Sequence, residues 1–255
     1  MELEANFLPC RVFVISLPDS CRRQRVSEHL DSLGIKFSFF DAFRGRVDLK
    51  NPENFRVELS NGEVGCWRSH LGIFQKVLEE KIQVALVLED DFCIQDKTLL
   101  LRQVTLFQQI YNADKGLKWD WIKLFQVNKI RAFRPVLRED DITLSVPFKR
   151  GFSSMAYLIS NQGASRFLEG YLKNSQRNPI YEGIDRYLDN THRSKVSLFI
   201  SDLNAIGESI DMQASQISDR AGELRSKIKK LLDSLGMRMA AWKTWTLAKM
   251  SLRNF

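Results

Sequence analysis

Residues 84–91, VALVLEDD, set five aliphatic side chains in an unbroken run directly before three acids, Glu89, Asp90 and Asp91. The run is too short for an independent helix and suits a strand buried on both faces, the signature of a parallel sheet covered by helices. The acids then stand at the carboxyl end of that strand, the edge where open α/β sheets bind ligands. Three adjacent carboxylates repel one another, and an oxygen-preferring cation such as Mg²⁺ or Mn²⁺ relieves the repulsion while bridging to phosphate. Alternation along an extended backbone sends Glu89 and Asp91 to one side and Asp90 to the other, so the relevant spacing is acid-x-acid. A solvated acidic turn is the competing reading of the same letters.

A chain of 255 residues can bury a full core, and this length fits one large α/β domain. Cys10, Cys21, Cys66 and Cys93 are scattered with no CxxC pair, which predicts reduced thiols and a cytosolic compartment. The first nine residues lack the basic-then-apolar order of a secretory signal, and no apolar stretch approaches the roughly 20 residues that cross a bilayer. A soluble or peripheral protein is expected.

The net charge of +7 is concentrated at one end: residues 221–255 carry eight basic and two acidic side chains. The chain therefore divides into a near-neutral domain, 1–220, and a basic tail, 221–255. In the tail Leu224, Ile228, Leu231, Leu235, Met239, Trp242 and Trp245 recur at helical intervals between lysines and arginines. A basic amphipathic helix of this kind suits an anionic membrane surface. Packing on the domain or on a second subunit is the alternative, and it leaves a homo-oligomer open. A nucleic-acid-binding body would spread its cations among aromatics over the folded surface, which this chain does not do, so no nucleic acid is expected.

In chain order, residues 11–17 read as a first strand, followed by a helix capped by Asp19 or Ser20 and ended by Gly34. Arg22, Arg23 and Arg25 fall in its first turns, where the helix dipole disfavours cations. An anionic partner such as a diphosphate, or simple solvation, would resolve the conflict. Residues 36–40 form a second strand, and Asp41 at its tip is placed to accept a hydrogen bond from a ribose or base. Asn61-Gly62 is a turn signal, after which Val64, Trp67, Leu71, Phe74 and Val77 define one face of a helix with Glu63, Ser69 and His70 near its start. His70 is either a core or capping histidine or a ligand or acid/base group. Residues 96–111 read as a helix and 121–127 as a strand, whose Lys123 reaches a phosphate or snorkels. Residues 131–149 are irregular apart from 142–146. A loop then enters a strand ending at Ser160, and Ser160 or Asn161 caps the next helix.

The blocks ISLPDSCRRQR, FDAFRG, LSNGEVGCWRSHLGIFQKVLEE and ALVLEDD, in this order, resemble glycosyltransferase family 25. That family contains lipooligosaccharide galactosyltransferases of Gram-negative bacteria and is related to procollagen galactosyltransferases. The resemblance is clear over residues 11–91 and weaker beyond, where PIYEGIDRYL (179–188) is similar to a family element with an insertion before Asp185, leaving Glu182 as a competitor. It implies an α/β fold of GT-A type, with a Rossmann-like, mostly parallel central sheet flanked by helices, a nucleotide-sugar donor such as UDP-galactose, a divalent metal and inversion at the anomeric carbon. The donor site would draw on Ser16, Leu17, Arg22, Arg23, Asp41, Glu63, Ser69, Glu89 and Asp90. Asp91, with Glu89, would hold Mn²⁺ or Mg²⁺, and Asp185, Glu182 and His70 are the candidates for acid/base work.

Transfer to a lipid-linked saccharide at the inner face of the bacterial inner membrane is the expectation that joins this site to the tail. The rival readings are a metal-dependent phosphotransferase or phosphatase using the same acids, and a basic nucleic-acid- or membrane-binding protein without catalysis. The first would need a glycine-rich phosphate loop or nucleophilic aspartate after the first strand, where Ser16-Leu17-Pro18 stands instead.

Overall fold

The computed structural model describes residues 8–45, 59–113, 116–125, 133–147, 153–175, 180, 183–189, 197–201 and 204–208. All of them lie in the first of two units into which the chain divides, Met1–Met212 and Gln213–Phe255. The tail and Glu182 fall outside the described residues. In order the elements are β1 (Arg11–Ser16), α1 (Arg22–Ser32), β2 (Ser38–Asp41), α2 (Asn61–Glu79), β3 (Val84–Glu89), β4 (Phe92–Ile94) and α3 (Lys97–Asn112). They continue with β5 (Trp121–Lys123), β6 (Phe133–Glu139), β7 (Ile142–Pro147), β8 (Ala156–Ser160), α4 (Asn161–Ser175), α5 (Ile184–Asp189), β9 (Leu198–Ser201) and β10 (Ile206–Glu208).

Eight strands form one sheet in the order β2-β1-β3-β8-β5-β9-β7-β6, and β4 pairs with β10 in a separate ribbon. The expected mostly parallel sheet is corrected to a mixed one. β1 is parallel to β2 and to β3, but β8 runs antiparallel between β3 and β5, and β7 runs antiparallel to β6 and β9. The unbroken apolar run of β3 reports only that helices cover both of its faces. It says nothing about the direction of the strand beside it.

Alternation along the strands feeds two cores. On one face Val12, Val14, Leu86 and Leu88 pack with α1 through Val26 and Leu30 and with α3 through Leu100, Val104 and Phe107. On the other Phe13, Ile15, Ala85 and Val87 pack with Trp67 and Phe74 of α2, Phe167 of α4 and Tyr187 of α5. Trp67 is fully enclosed against Phe167, Tyr171 and Tyr187. Truncating it to alanine would cost roughly 3–5 kcal/mol.

Several local expectations change for identifiable reasons. Cys21 is the last residue before α1 and makes no side-chain cap bond; Ser20 accepts the Arg22 N–H on its hydroxyl at 3.3 Å while also donating to Asp90, and Asp19 is drawn away to Arg44. Asn61 and Gly62 lie inside α2, since Ser60 caps it and Glu63 reaches back to the Ser60 N–H at 2.8 Å, completing a capping box. The stretch expected to be irregular contains a β6–β7 hairpin, turned at Asp140 with φ of 50° and bulged beside Pro135. Lys123 does not snorkel: it is 1 % exposed. Gly65 sets how closely α2 meets the loop after β2. A Cβ there would lie 2.3 Å from the Phe43 carbonyl oxygen, so only glycine lets the two press together.

Candidate functional site

β1 and β3 are adjacent and parallel, so the residues following both emerge at one edge, and the two tips interlock there. Ser16, the last residue of β1, donates its hydroxyl to Asp90 Oδ2 at 2.6 Å, and Ser20 donates to the same oxygen at 3.1 Å. Arg22 Nη1 donates to Asp90 Oδ1 at 2.9 Å, and Arg25 Nη2 to the Asp90 carbonyl at 2.9 Å. Arg23 donates to the Ser16 carbonyl at 2.8 Å, pairs with Asp41, and lays its guanidinium 4.6 Å over the Phe39 ring. The arginines that oppose the α1 dipole are thus held by acids at the neighbouring strand tips. The carbonyl of Leu17 accepts the Ser20 N–H at 2.9 Å and shapes the turn that brings Ser20 to Asp90.

The other side of the tip faces α2 and β8. Glu89 Oε1 lies 3.2 Å from His70 Nε2 and accepts the Ser154 hydroxyl at 2.6 Å. His70 Nδ1 lies 2.7 Å from the Tyr157 hydroxyl, and His70 is fully buried. Burial pushes the Glu89 carboxyl up, but the hydrogen bond and charge of His70 and the hydrogen bond of Ser154 outweigh it and hold Glu89 below its ordinary value. Tyr157 is pushed well up by burial and by the charge of Glu89, so its hydroxyl stays protonated. In the neutral form that donates Nε2–H to Glu89 the Tyr157 hydroxyl donates to Nδ1, whereas the imidazolium, whose charge pulls Glu89 down, donates from both nitrogens. Cys66, one turn before His70, has its thiol pushed well up by burial and by Glu89, Asp185 and Asp91, with Ser154 opposing.

Asp91 differs from both neighbours. Its Oδ1 is buried and has no hydrogen-bond partner. Burial, then the charges of Glu89 and Asp90, push its carboxyl up to about 7, against the pull of Arg22. A buried orphan oxygen facing two like charges is what a cation site looks like without its cation. The hard oxygen donors here fit Mg²⁺ or Mn²⁺.

Of the residues expected at the site, Ser16, Leu17, Arg22, Arg23, Asp41, His70, Glu89, Asp90 and Asp91 gather around these tips. Asp185 sits in the first turn of α5, close enough to act on the Cys66 thiol. Glu63 and Ser69 have framework partners instead: Glu63 closes the α2 cap, and Ser69 Oγ donates to the Gly65 carbonyl at 2.7 Å while accepting the Phe43 N–H at 3.0 Å. Sequence reasoning missed Cys66, Ser154 and Tyr157 as neighbours of the acids. The four-residue spacing of Cys66 and His70 was visible, but only the β3–β8 register brings Ser154 and Tyr157 to Glu89.

Among known proteins, the chain is 30 % identical over 175 residues to procollagen galactosyltransferase 1-A of Xenopus laevis, covering 62 % of this chain and 28 % of that one. It is 30 % identical over 119 residues to the lipooligosaccharide biosynthesis protein lic2B of Haemophilus influenzae, covering 44 % and 39 %. It is also 32 % identical over 181 residues to the probable inactive glycosyltransferase 25 family member 3 of Bos taurus, covering 62 % and 28 %. The chain thus spans well under half the length of these relatives. A glycosyltransferase involved in glycosylation of the major capsid of PBCV-1 superposes with a TM-score of 0.35 and 13 % identity, over 85 % of this chain and 100 % of that one, too loosely to bear on fold or function. The profile of glycosyltransferase family 25, described as LPS biosynthesis protein, matches residues 10–179, and a match over that share of the chain, with the four sequence blocks inside it, makes this protein a member of glycosyltransferase family 25.

Proposed function

We propose that this protein is an inverting, metal-assisted galactosyltransferase of GT-A type that moves galactose from UDP-galactose to a saccharide acceptor of lipooligosaccharide or lipopolysaccharide. The observation that carries the reading is the buried, unpartnered oxygen of Asp91 at a strand tip already lined with arginines and hydroxyls. Asp91, with Glu89 beside it, would hold Mn²⁺ or Mg²⁺. When bound, the ion acts as a Lewis acid on the diphosphate.

The chain's own residues do the rest. Arg22 and Arg23, released from Asp90 and Asp41, contribute charge-assisted hydrogen bonds to the departing diphosphate. Ser16 and Ser20 keep donating to Asp90 when Arg22 leaves it, and Asp41 holds a ribose hydroxyl. The acceptor hydroxyl attacks the anomeric carbon from the face opposite the diphosphate, the carbon–oxygen bond to phosphate breaks, and the hydroxyl proton passes to a carboxylate base. Asp185 is the proposed base. His70, through Glu89, fixes the acid cluster.

Residues 221–255 would bring this domain to the anionic inner face of the bacterial inner membrane, where lipid-linked acceptors are presented. Among the described residues no helix is long and apolar enough to cross a membrane, and an interfacial helix needs none. Two experiments test the reading. UDP-, GDP- and CMP-sugars are screened for thermal stabilisation with and without Mn²⁺. UDP-galactose with Mn²⁺ is expected to stabilise most, and no response to any donor overturns it. Deleting 221–255 is expected to release the protein from anionic vesicles while sparing transfer to a soluble acceptor, and unchanged vesicle binding refutes the anchor.

A further inference from the structure

The side of the acid cluster facing α2 sets a thiol and an imidazole beside Glu89, neither of which galactosyl transfer uses as a ligand. Cys66 and His70 are four residues apart on α2 and so share one face of the helix. Glu89 reaches them from the end of β3, and one ligand atom from each, thiol sulfur, imidazole nitrogen and carboxylate oxygen, lies within 4.8 Å of the others. We propose that Cys66, His70 and Glu89 form a binding site for a thiophilic divalent ion of the Zn²⁺ class, which shares Glu89 with the hard-ion site at Asp91 but takes sulfur and nitrogen as its other ligands.

The supporting shell is already built. A ligating imidazole needs its second nitrogen fixed by an oxygen, and His70 Nδ1 has the Tyr157 hydroxyl at 2.7 Å. With a metal at Nε2 the ring proton lies on Nδ1 and is donated to the phenol oxygen, which accepts as readily as it donates. The ligating carboxylate is steered by Ser154 at 2.6 Å. Sulfur, nitrogen and oxygen bonds of the lengths zinc prefers put ligands roughly 3.5 Å apart in a tetrahedron, which small rotations of these side chains reach. Three protein ligands leave the fourth position to water. Sulfur in the set selects against Mg²⁺ and Mn²⁺, which is why the two sites are chemically separable although both lie beside Glu89.

Binding releases the thiol proton to solvent and replaces the contact between Nε2 and Glu89, and the ligating imidazole is neutral. The test is titration of the full-length, metal-free protein with Co²⁺ as the spectroscopic probe, followed by competition with Zn²⁺. The expected result is a sulfur-to-cobalt charge-transfer band and tetrahedral d–d absorption at one equivalent, both abolished by Zn²⁺. Cys66→Ser removes the charge-transfer band, Tyr157→Phe weakens the ion roughly 10–100-fold, as loss of an outer-shell partner does, and Asp91→Asn leaves the band in place. Because Asp91→Asn separates the sites, failure of this proposal and failure of the transferase reading are distinguishable. Absence of the band, its survival in Cys66→Ser, or an unchanged spectrum in His70→Gln overturns it. Circular dichroism of each variant checks folding, and a variant that melts early is replaced by Cys66→Ala.

Discussion

Two carboxylates stand at opposite ends of the same sheet, because β3 and β5 both run antiparallel to β8. Asp91 follows the carboxyl end of β3, and Asp120 precedes the amino end of β5. Asp120 is 1 % exposed and fully engaged: Arg166 Nη1 donates to its two oxygens at 3.1 and 2.9 Å, and the Ser197 N–H donates at 2.7 Å. Asp91 is also drawn inward, yet one of its oxygens has nothing to accept from. Asp120 is buried whole and Asp91 only in part, but each encloses a carboxylate oxygen, so burial alone does not set their roles. The difference lies in satisfaction: a buried acid with every lone pair answered ties elements together, while one left unanswered, beside two like charges, waits for a ligand.

The sharpest way to break this comparison is to exchange each carboxylate for a neutral side chain. Asp91→Asn is expected to lower transfer about 10³-fold, the loss of several kcal/mol of leaving-group stabilisation, with no loss of thermal stability. The same variant tests the electrostatics. The folded value of about 7 lies above the ordinary 3.8, so the folded, chelator-treated protein holds a proton that the unfolded chain has released. Its stability should fall as pH rises from about 4 to about 7. Asp91→Asn flattens that slope, and Mn²⁺ removes it. An unchanged slope in the variant would place the titration elsewhere.

Asp120→Ala should do the reverse. It strands the Ser197 N–H and one guanidinium, and is expected to cost about 2–4 kcal/mol of unfolding free energy, read by urea denaturation, with kcat of the remaining folded protein unchanged. A drop in kcat without a drop in stability would mean that the two acids are less different than their partners imply.

A smaller effect is expected at Arg22. Arg22→Ala removes one charge-assisted donor and should raise the donor KM about tenfold, since such a bond contributes about 1.5 kcal/mol. An unchanged KM would leave Arg22 a partner of Asp90 and nothing more. The smallest effect belongs to the surface pair of Arg102 and Asp141, where hydrogen bonding to Arg102 holds the Asp141 carboxyl below its ordinary value. That contribution is present at neutral pH and is lost as pH falls through the folded value. The melting difference between wild type and Arg102→Ala should accordingly be small at pH 7 and vanish in acid.

Much of the frame could be read from the letters because it is local. The buried run of β3, the apolar face of α2 and the helix stop at Gly34 follow from periodicity and backbone sterics, which act over a few residues. So does the grouping of Ser16, Arg22 and Asp90, since parallel strands linked through crossover helices bring their carboxyl ends to one edge. What the letters misjudged were competitions among partners. Asp19 is a fair helix cap until Arg44 claims it, and Asn61-Gly62 is a fair turn until Ser60 and Glu63 cap a helix across it.

By itself, the sequence determined that three acids follow a buried strand, and that this strand and its neighbours belong to glycosyltransferase family 25. Only the tertiary structure decided that the three acids have three different lives: Glu89 held by His70 and Ser154, Asp90 by Arg22 and two serines, Asp91 by nothing on one oxygen. The reason is distance along the chain. Ser154 is 65 residues from Glu89 and Arg22 is 68 residues from Asp90, and the antiparallel insertion of β8 and the parallel pairing of β1, which bring them there, are set by packing across the whole sheet.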